Sequence, residues 1–168
     1  PWDRNSQFYG DSPKYNEYYK NQLRELLTQY GKISMVWWDG ACGEGPNGKR
    51  QEYDWDAYLK IVRELAPDAV IFSDKGDIRW VGNEDGLAQE TCWSLYDPSS
   101  VTIGGGTQKQ MGEGNPAGDA WAPAECDVSI RPGWFYHSEE DLKVKTLSHL
   151  LDIYYRSVGH NCCLHLNV

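Results

Sequence analysis

The chain lacks any excess of positive charge: its 168 residues carry 25 acids against 16 bases, a formal net charge of −9. No block of like charge stands out. A phosphate backbone or an anionic lipid surface repels such a chain, so nucleic acid and lipid-surface partners are excluded. No apolar run approaches the roughly 18 residues of a membrane-spanning helix, so no membrane insertion is expected. No signal peptide is visible, and the chain begins at Pro1 with no Met, as if cut from something longer. No G-x-G-x-x-G follows a strand, which leaves a dinucleotide fold without support. Gly104-Gly105-Gly106 matches neither phosphate-binding glycine pattern and opens no clear helix. No C-x-x-C pair occurs among the five cysteines, Cys42, Cys92, Cys126, Cys162 and Cys163. They read as buried small hydrophobes rather than disulfide or metal ligands.

Flat rings are abundant instead, with eight tryptophans and eleven tyrosines. Rings with polar edges, beside many acids, are what sugar-binding clefts use. The ring packs on the apolar C–H face of a pyranose while carboxylates accept its hydroxyls. The length suits one domain with a sizeable core.

Ser12-Pro13 starts a helix, a hydroxyl cap followed by proline. Apolar and tyrosine residues from Tyr15 to Tyr30 recur at spacings of three and four, and Gly31 closes the span. Ile33 to Asp39 reads as a buried strand, apolar and bounded by Gly40. Gly40 to Glu52 is a loop. Asp54 caps a second helix with Trp55, Tyr58, Leu59, Val62 and Leu65 on its apolar face, ended by Pro67. Ala69 to Phe72 is a second buried strand. Lys75 to Trp121 is irregular, with a short strand expected over Glu90 to Ser94. Glu125 to Ser129 is another strand. Ser138 is expected to cap a third helix that runs through Leu142, Leu147, Leu150, Leu151, Tyr154 and Val158 to Gly159. Asn161 to Val168 is a last strand. The alternation predicts an α/β fold of parallel strands with helical crossovers. The chain is short for a (β/α)8 barrel and of a length with its second half, a single partial domain over residues 1–168.

Asp39 sits at the C-terminal end of its strand, where α/β folds place chemistry. Glu84 lies in the aromatic loop Trp80-Val81-Gly82-Asn83-Glu84. Two carboxylates are what glycoside hydrolysis requires, one to attack or to activate water and one to protonate the leaving oxygen. With 25 acids in the chain, the pattern alone does not single out these two.

Longer motifs do. Pro1-Trp2-Asp3-Arg4-Asn5, Tyr9-Gly10, Tyr18-Tyr19 with Gln22-Leu23 and Glu25-Leu26-Leu27, Tyr30-Gly31 and Val36-Trp37-Trp38-Asp39-Gly40-Ala41 come first. They continue as Asp77-Ile78-Arg79-Trp80-Val81-Gly82-Asn83-Glu84, Gly133-Trp134-Phe135-Tyr136-His137, Ser157-Val158-Gly159 with Asn161, and Leu164 with Leu166-Asn167-Val168. In order and over nearly the whole chain, they resemble glycoside hydrolase family 29, the α-L-fucosidases. The resemblance implies a retaining exo-fucosidase on a (β/α)8 barrel, without metal or cofactor, acting on fucosylated glycans. It implies Asp39 as nucleophile and Glu84 as acid/base, with Glu90 as the fallback. Glu84 belongs to the pattern of the subfamily that prefers α-1,3/1,4-linked fucose. Trp38, Arg79, Trp80 and Trp134 are the candidate contacts to fucose, and Glu125 and Asp127 those to a neighbouring galactose.

The resemblance also implies a fucose pocket completed by histidines and a tryptophan from the first half of the barrel. His137, His149, His160 and His165 are not their equivalents and read as structural or surface residues. The chain is therefore expected to need its missing N-terminal half-barrel or to self-associate. The alternative is a half-barrel that binds sugar or merely folds without turnover. Substrate class points to an extracellular or periplasmic location.

Overall fold

The structure, a computed structural model, describes residues 2–39 and 43–168. Gly40, Ala41 and Cys42, which end the first strand motif and supply one of the expected buried thiols, lie outside the described residues. The chain divides into two compact units, Pro1–Phe72 and Ser73–Val168.

In the first unit, helix α1 (Ser12–Gln29) leads to strand β1 (Met35–Trp37). Helix α2 (Trp55–Leu65) then leads to β2 (Val70–Phe72), which pairs parallel with β1. Asp54 caps α2 as expected, accepting from the Ala57 N–H at 3.3 Å. Ser12 does not cap α1: Asp11 holds that position, and the Ser12 hydroxyl instead accepts from the Glu52 N–H at 3.0 Å. Leu23 and Leu27 of α1 and Tyr58, Ile61 and Val62 of α2 close over Trp38 and Ile71. The face of α2 thus includes Ile61, whereas the expected Leu65 is exposed. Strand β1 itself is half-buried rather than enclosed, because only one of its faces meets the helices within this unit.

The second unit is built on a parallel sheet of order β3 (Arg79–Trp80), β6 (Ala124–Ser129) and β7 (Cys163–Asn167). All six residues of the central β6 are buried, as expected for a parallel strand covered on both faces. The segment between β3 and β6 is more structured than its composition suggests. It holds the antiparallel pair β4 (Leu95–Tyr96) and β5 (Ala120–Trp121) and the short helix α3 (Gln108–Glu113). Glu90 to Ser94 forms no strand; the ladder begins one residue later, at Leu95. The glycine triplet does precede a helix after all, because Thr107 and Gln110 form a capping box. Gly104 of that triplet donates its N–H to Asp74, 2.7 Å away.

The third long helix also starts later than expected. Residues Ser138–Lys143 form a 3-10 turn with Leu142 fully exposed, and helix α4 is Leu147–Ser157. Thr146 caps it through the His149 N–H at 3.3 Å. The chain leaves α4 not at Gly159 but through Asn161, whose φ of 67° is left-handed. Among the described residues no helix is long and apolar enough to cross a membrane.

Candidate active site

Strand β6 alternates strictly. Ala124, Cys126 and Val128 point to one face, and Glu125, Asp127 and Ser129 to the other. The first set packs into an apolar core, Ala124 and Cys126 lying with Val81 and Leu164. The second set makes a buried polar face, and the register adds to it. Trp80 lies opposite Glu125, His165 opposite Asp127 and Asn167 opposite Ser129.

The polar face is tied together by hydrogen bonds. The Trp80 indole N–H donates to Asp127 Oδ1 at 2.7 Å. His165 Nδ1 lies 3.2 Å from Glu125 Oε1. Asn167 donates from Nδ2 to Ser129 Oγ at 3.1 Å and to the Trp134 carbonyl at 3.0 Å. The Trp134 indole N–H then reaches Glu84 Oε2 at 3.3 Å. Glu84 and Trp134 stand on the loops that leave the C-terminal ends of β3 and β6. Both are exposed, while Glu125 and Asp127 lie buried below them.

Burial governs the charge here. It pushes the Asp127 carboxyl up to about 6, against the Trp80 N–H, which lowers it, and with the charges of Glu84 and Glu125 raising it further. Asp127 therefore shares an electrostatic environment with Glu84.

The loop that presents Glu84 is fixed locally. Gly82 takes φ +95°, and a Cβ there would meet Gln108 Cα at 2.9 Å. Asn83 closes the following turn: its Oδ1 accepts from the Asp85 N–H at 3.1 Å and its Nδ2 donates to the Leu87 carbonyl at 2.9 Å. The fallback acid Glu90 is exposed further along the same segment.

Arg79 is not part of this face. Neighbours on a strand point to opposite sides, so while Trp80 faces Asp127, Arg79 turns the other way. Its side chain is 0% exposed. The guanidinium donates to the carbonyls of Met111 at 2.7 Å, Trp93 at 2.8 Å and Ala122, and lies 3.7 Å from Cys92 Sγ. The expected sugar contact is thus replaced by a strut that holds β4, α3 and the start of β6 together.

Asp39 and Trp38 belong to the first unit. Trp38 is core: its ring packs 5.7 Å from Trp55 and 6.5 Å from Tyr58. That geometry anchors the strand end and removes Trp38 from any sugar-facing surface. Trp37 faces the opposite side, stacked on Phe72 with ring centroids 4.2 Å apart. The alternation that sends Trp38 into the core places the exposed Asp39 on the side of Trp37.

Two residues escaped sequence reasoning. His165 and Asn167 both belong to the polar face, and period-two alternation in the last strand was the signal for them. Among the described residues no group of three or more His, Cys, Asp or Glu side chains could hold a metal.

Buried carboxylates, the half-buried Trp80, the exposed Trp134 and a loop acid above a parallel sheet can accept hydroxyls, stack on pyranose faces and move a proton. The alpha-L-fucosidase family model matches residues 1–168. Alpha-L-fucosidase 1 of Arabidopsis thaliana is 52% identical over 169 residues, covering 100% of this chain and 33% of that protein. A glycoside hydrolase 29 family member from a rumen bacterium superposes with a TM-score of 0.88 at 44% identity, over 99% of this chain and 32% of its own. A Ruminococcus gnavus GH29 fucosidase in complex with fucose gives a TM-score of 0.78 at 35% identity, over 92% of this chain and 33% of its own. The chain spans about a third of the length of the relatives it matches. With every residue from 1 to 168 inside the match, this chain belongs to the α-L-fucosidase family, glycoside hydrolase family 29.

Proposed function

We propose that this chain carries the two catalytic carboxylates of a retaining exo-α-L-fucosidase that releases α-1,3/1,4-linked L-fucose from branched glycans. The observation that supports this most is Glu84, held on the loop after β3 within hydrogen-bond reach of the Trp134 indole and above a buried acidic face. The family match over the whole chain and the fucose-bound Ruminococcus gnavus relative support the choice of sugar.

In this reading Asp39 attacks the anomeric carbon while Glu84 protonates the departing oxygen. A covalent fucosyl-enzyme forms through an oxocarbenium-like transition state. Glu84 then takes a proton from water, and fucose leaves with net retention. Retention requires the two carboxyl groups about 5–5.5 Å apart. Trp80 and Trp134 supply ring faces to the sugar, while their indole N–H groups hold Asp127 and Glu84. Glu125 and Asp127 accept hydroxyls of the neighbouring galactose, with His165 orienting Glu125. Trp38 acts from the core by fixing the strand end that bears Asp39.

The chain would form the second half of a (β/α)8 barrel. The remainder of the parent protein would cover it and supply the histidines and tryptophan that complete the fucose pocket. No metal or cofactor enters these steps. The substrate class places the enzyme outside the cytoplasm.

Hydrolysis of an aryl α-L-fucoside by the full-length parent tests the assignment. Asp39→Ala and Glu84→Ala should each lower kcat by about 10²–10⁴-fold. Azide should restore turnover to both, giving fucosyl azide of inverted configuration from Asp39→Ala and of retained configuration from Glu84→Ala. Full activity in Asp39→Ala would sink the mechanism.

A further inference from the structure

The second unit brings cysteines together in an apolar cluster that the proposed chemistry does not use. Cys92 Sγ and Cys162 Sγ lie 3.2 Å apart although they are 70 positions apart in the chain. Both are buried, with Val81, Ala124 and Cys126 around them. The approach does not depend on the two side chains alone. Asn161, next to Cys162, donates from Nδ2 to the Cys92 carbonyl at 3.0 Å and to Ser94 Oγ at 3.0 Å. The Cys162 N–H is bound to the Ser157 carbonyl at 3.1 Å, and the Trp93 N–H to the Glu113 carbonyl at 2.8 Å. Arg79 grips the same segment through the Trp93 carbonyl at 2.8 Å. Both backbones are therefore held in place with their sulfurs facing each other. A disulfide is about 2.05 Å long, so closing this one needs about 1.2 Å of sulfur movement, within reach of small side-chain rotations.

We propose that Cys92 and Cys162 form an intramolecular disulfide when the protein folds in the presence of a disulfide-bearing oxidant. One cysteine, as thiolate, attacks a sulfur of the oxidant RS–SR, forming a mixed disulfide and releasing one RS⁻. The second cysteine, giving up its proton, attacks the protein sulfur of that mixed disulfide and expels the other RS⁻. The two thiols are oxidised, the oxidant is reduced to two RSH, and the two protons pass to them.

The timing follows from burial. In the finished fold the Cys126 thiol beside Cys162, together with burial, pushes Cys162 up to about 12. The Cys162 thiol and burial raise Cys92 as well. Little thiolate exists once the cluster has packed, so exchange is confined to the folding chain and the finished bond is shielded from reductant. Cys126 keeps its thiol in the cluster. Cys163 stays apart from it, because its position in β7 pairs with Glu125 on the opposite, polar face.

The full-length protein, reduced and denatured, is refolded with oxidised glutathione, and free thiols are then alkylated under denaturing, non-reducing conditions. The expected result is that, of the five cysteines in residues 1–168, only Cys92 and Cys162 escape alkylation, with a digest peptide joining the Cys92 segment to Cys162. In the refolded protein Cys92→Ala, Cys162→Ala and the double variant should lower the melting temperature by the same several degrees, since any one of them removes the same cross-link. Alkylation of all cysteines in the wild type, or a bridge from Cys162 to Cys126, would overturn the proposal whether or not the variants fold.

Discussion

Asp127 illustrates how burial sets the behaviour of one carboxyl. Its folded value of about 6 lies above that of an unfolded aspartate, about 3.9, so folding favours the protonated form. The stabilisation this brings is complete below about pH 4 and is lost as pH rises through about 6. Asp127→Asn keeps an oxygen to accept the Trp80 N–H and removes the titration. Urea unfolding of the full-length protein between about pH 4 and 7 should therefore lose on the order of 2 kcal/mol less in the variant than in the wild type. Equal pH slopes would show that Asp127 ionises freely. Arg79 and Trp80 carry the complementary lesson. They are adjacent and both polar-edged, and the sequence motif offers both as sugar contacts. The strand sends one into a cage of carbonyls and the other to a carboxylate, and only pairing with β6 decides which faces which way.

Among the elements, the loop after β3 depends on Gly82. An alanine there would meet a left-handed φ of +95° and a Cβ contact of 2.9 Å with Gln108 Cα. Gly31 has a similar φ, +92°, but nothing within 4 Å of the same added atom. Gly31→Ala should cost about 1–2 kcal/mol of backbone strain alone. Gly82→Ala should cost about 2–4 kcal/mol, since overpacking adds to strain. It should also lower kcat on an aryl fucoside by displacing Glu84, whereas Gly31→Ala leaves kcat unchanged. Calorimetry and initial rates on the same two variants check both parts. The helices were legible where apolar spacing and caps agreed, as in α2 under Asp54. They were not legible between Ser138 and Thr146. Both residues are good caps, and Leu142 continues the apolar spacing, yet the first turn stays 3-10 with Leu142 in solvent.

At the scale of the molecule, apolar surface remains uncovered. On α4, Leu147 is 73% exposed, Leu151 46% and Tyr155 66%. The parallel sheet of the second unit ends in β3 and β7. Such faces and edges drive association in water. Residues 1–168 expressed alone should elute from size-exclusion ahead of the position for 19.2 kDa, and they should show no fucosidase turnover. A stable, cooperatively melting monomer would contradict this reading of the surface.

The α/β alternation, the parallel strands, the acid at the end of the first strand and the family were all legible along the chain, because periodicity, caps and spaced motifs are local properties. The tertiary structure decided which side chains meet. Glu125, Asp127, His165 and Asn167 share one face only because β6 and β7 pair in one register. Cys92 meets Cys162 because Asn161, Arg79 and backbone hydrogen bonds hold two distant segments together. Register and long-range contact are properties of paired strands and packed loops, and no single stretch of sequence encodes them.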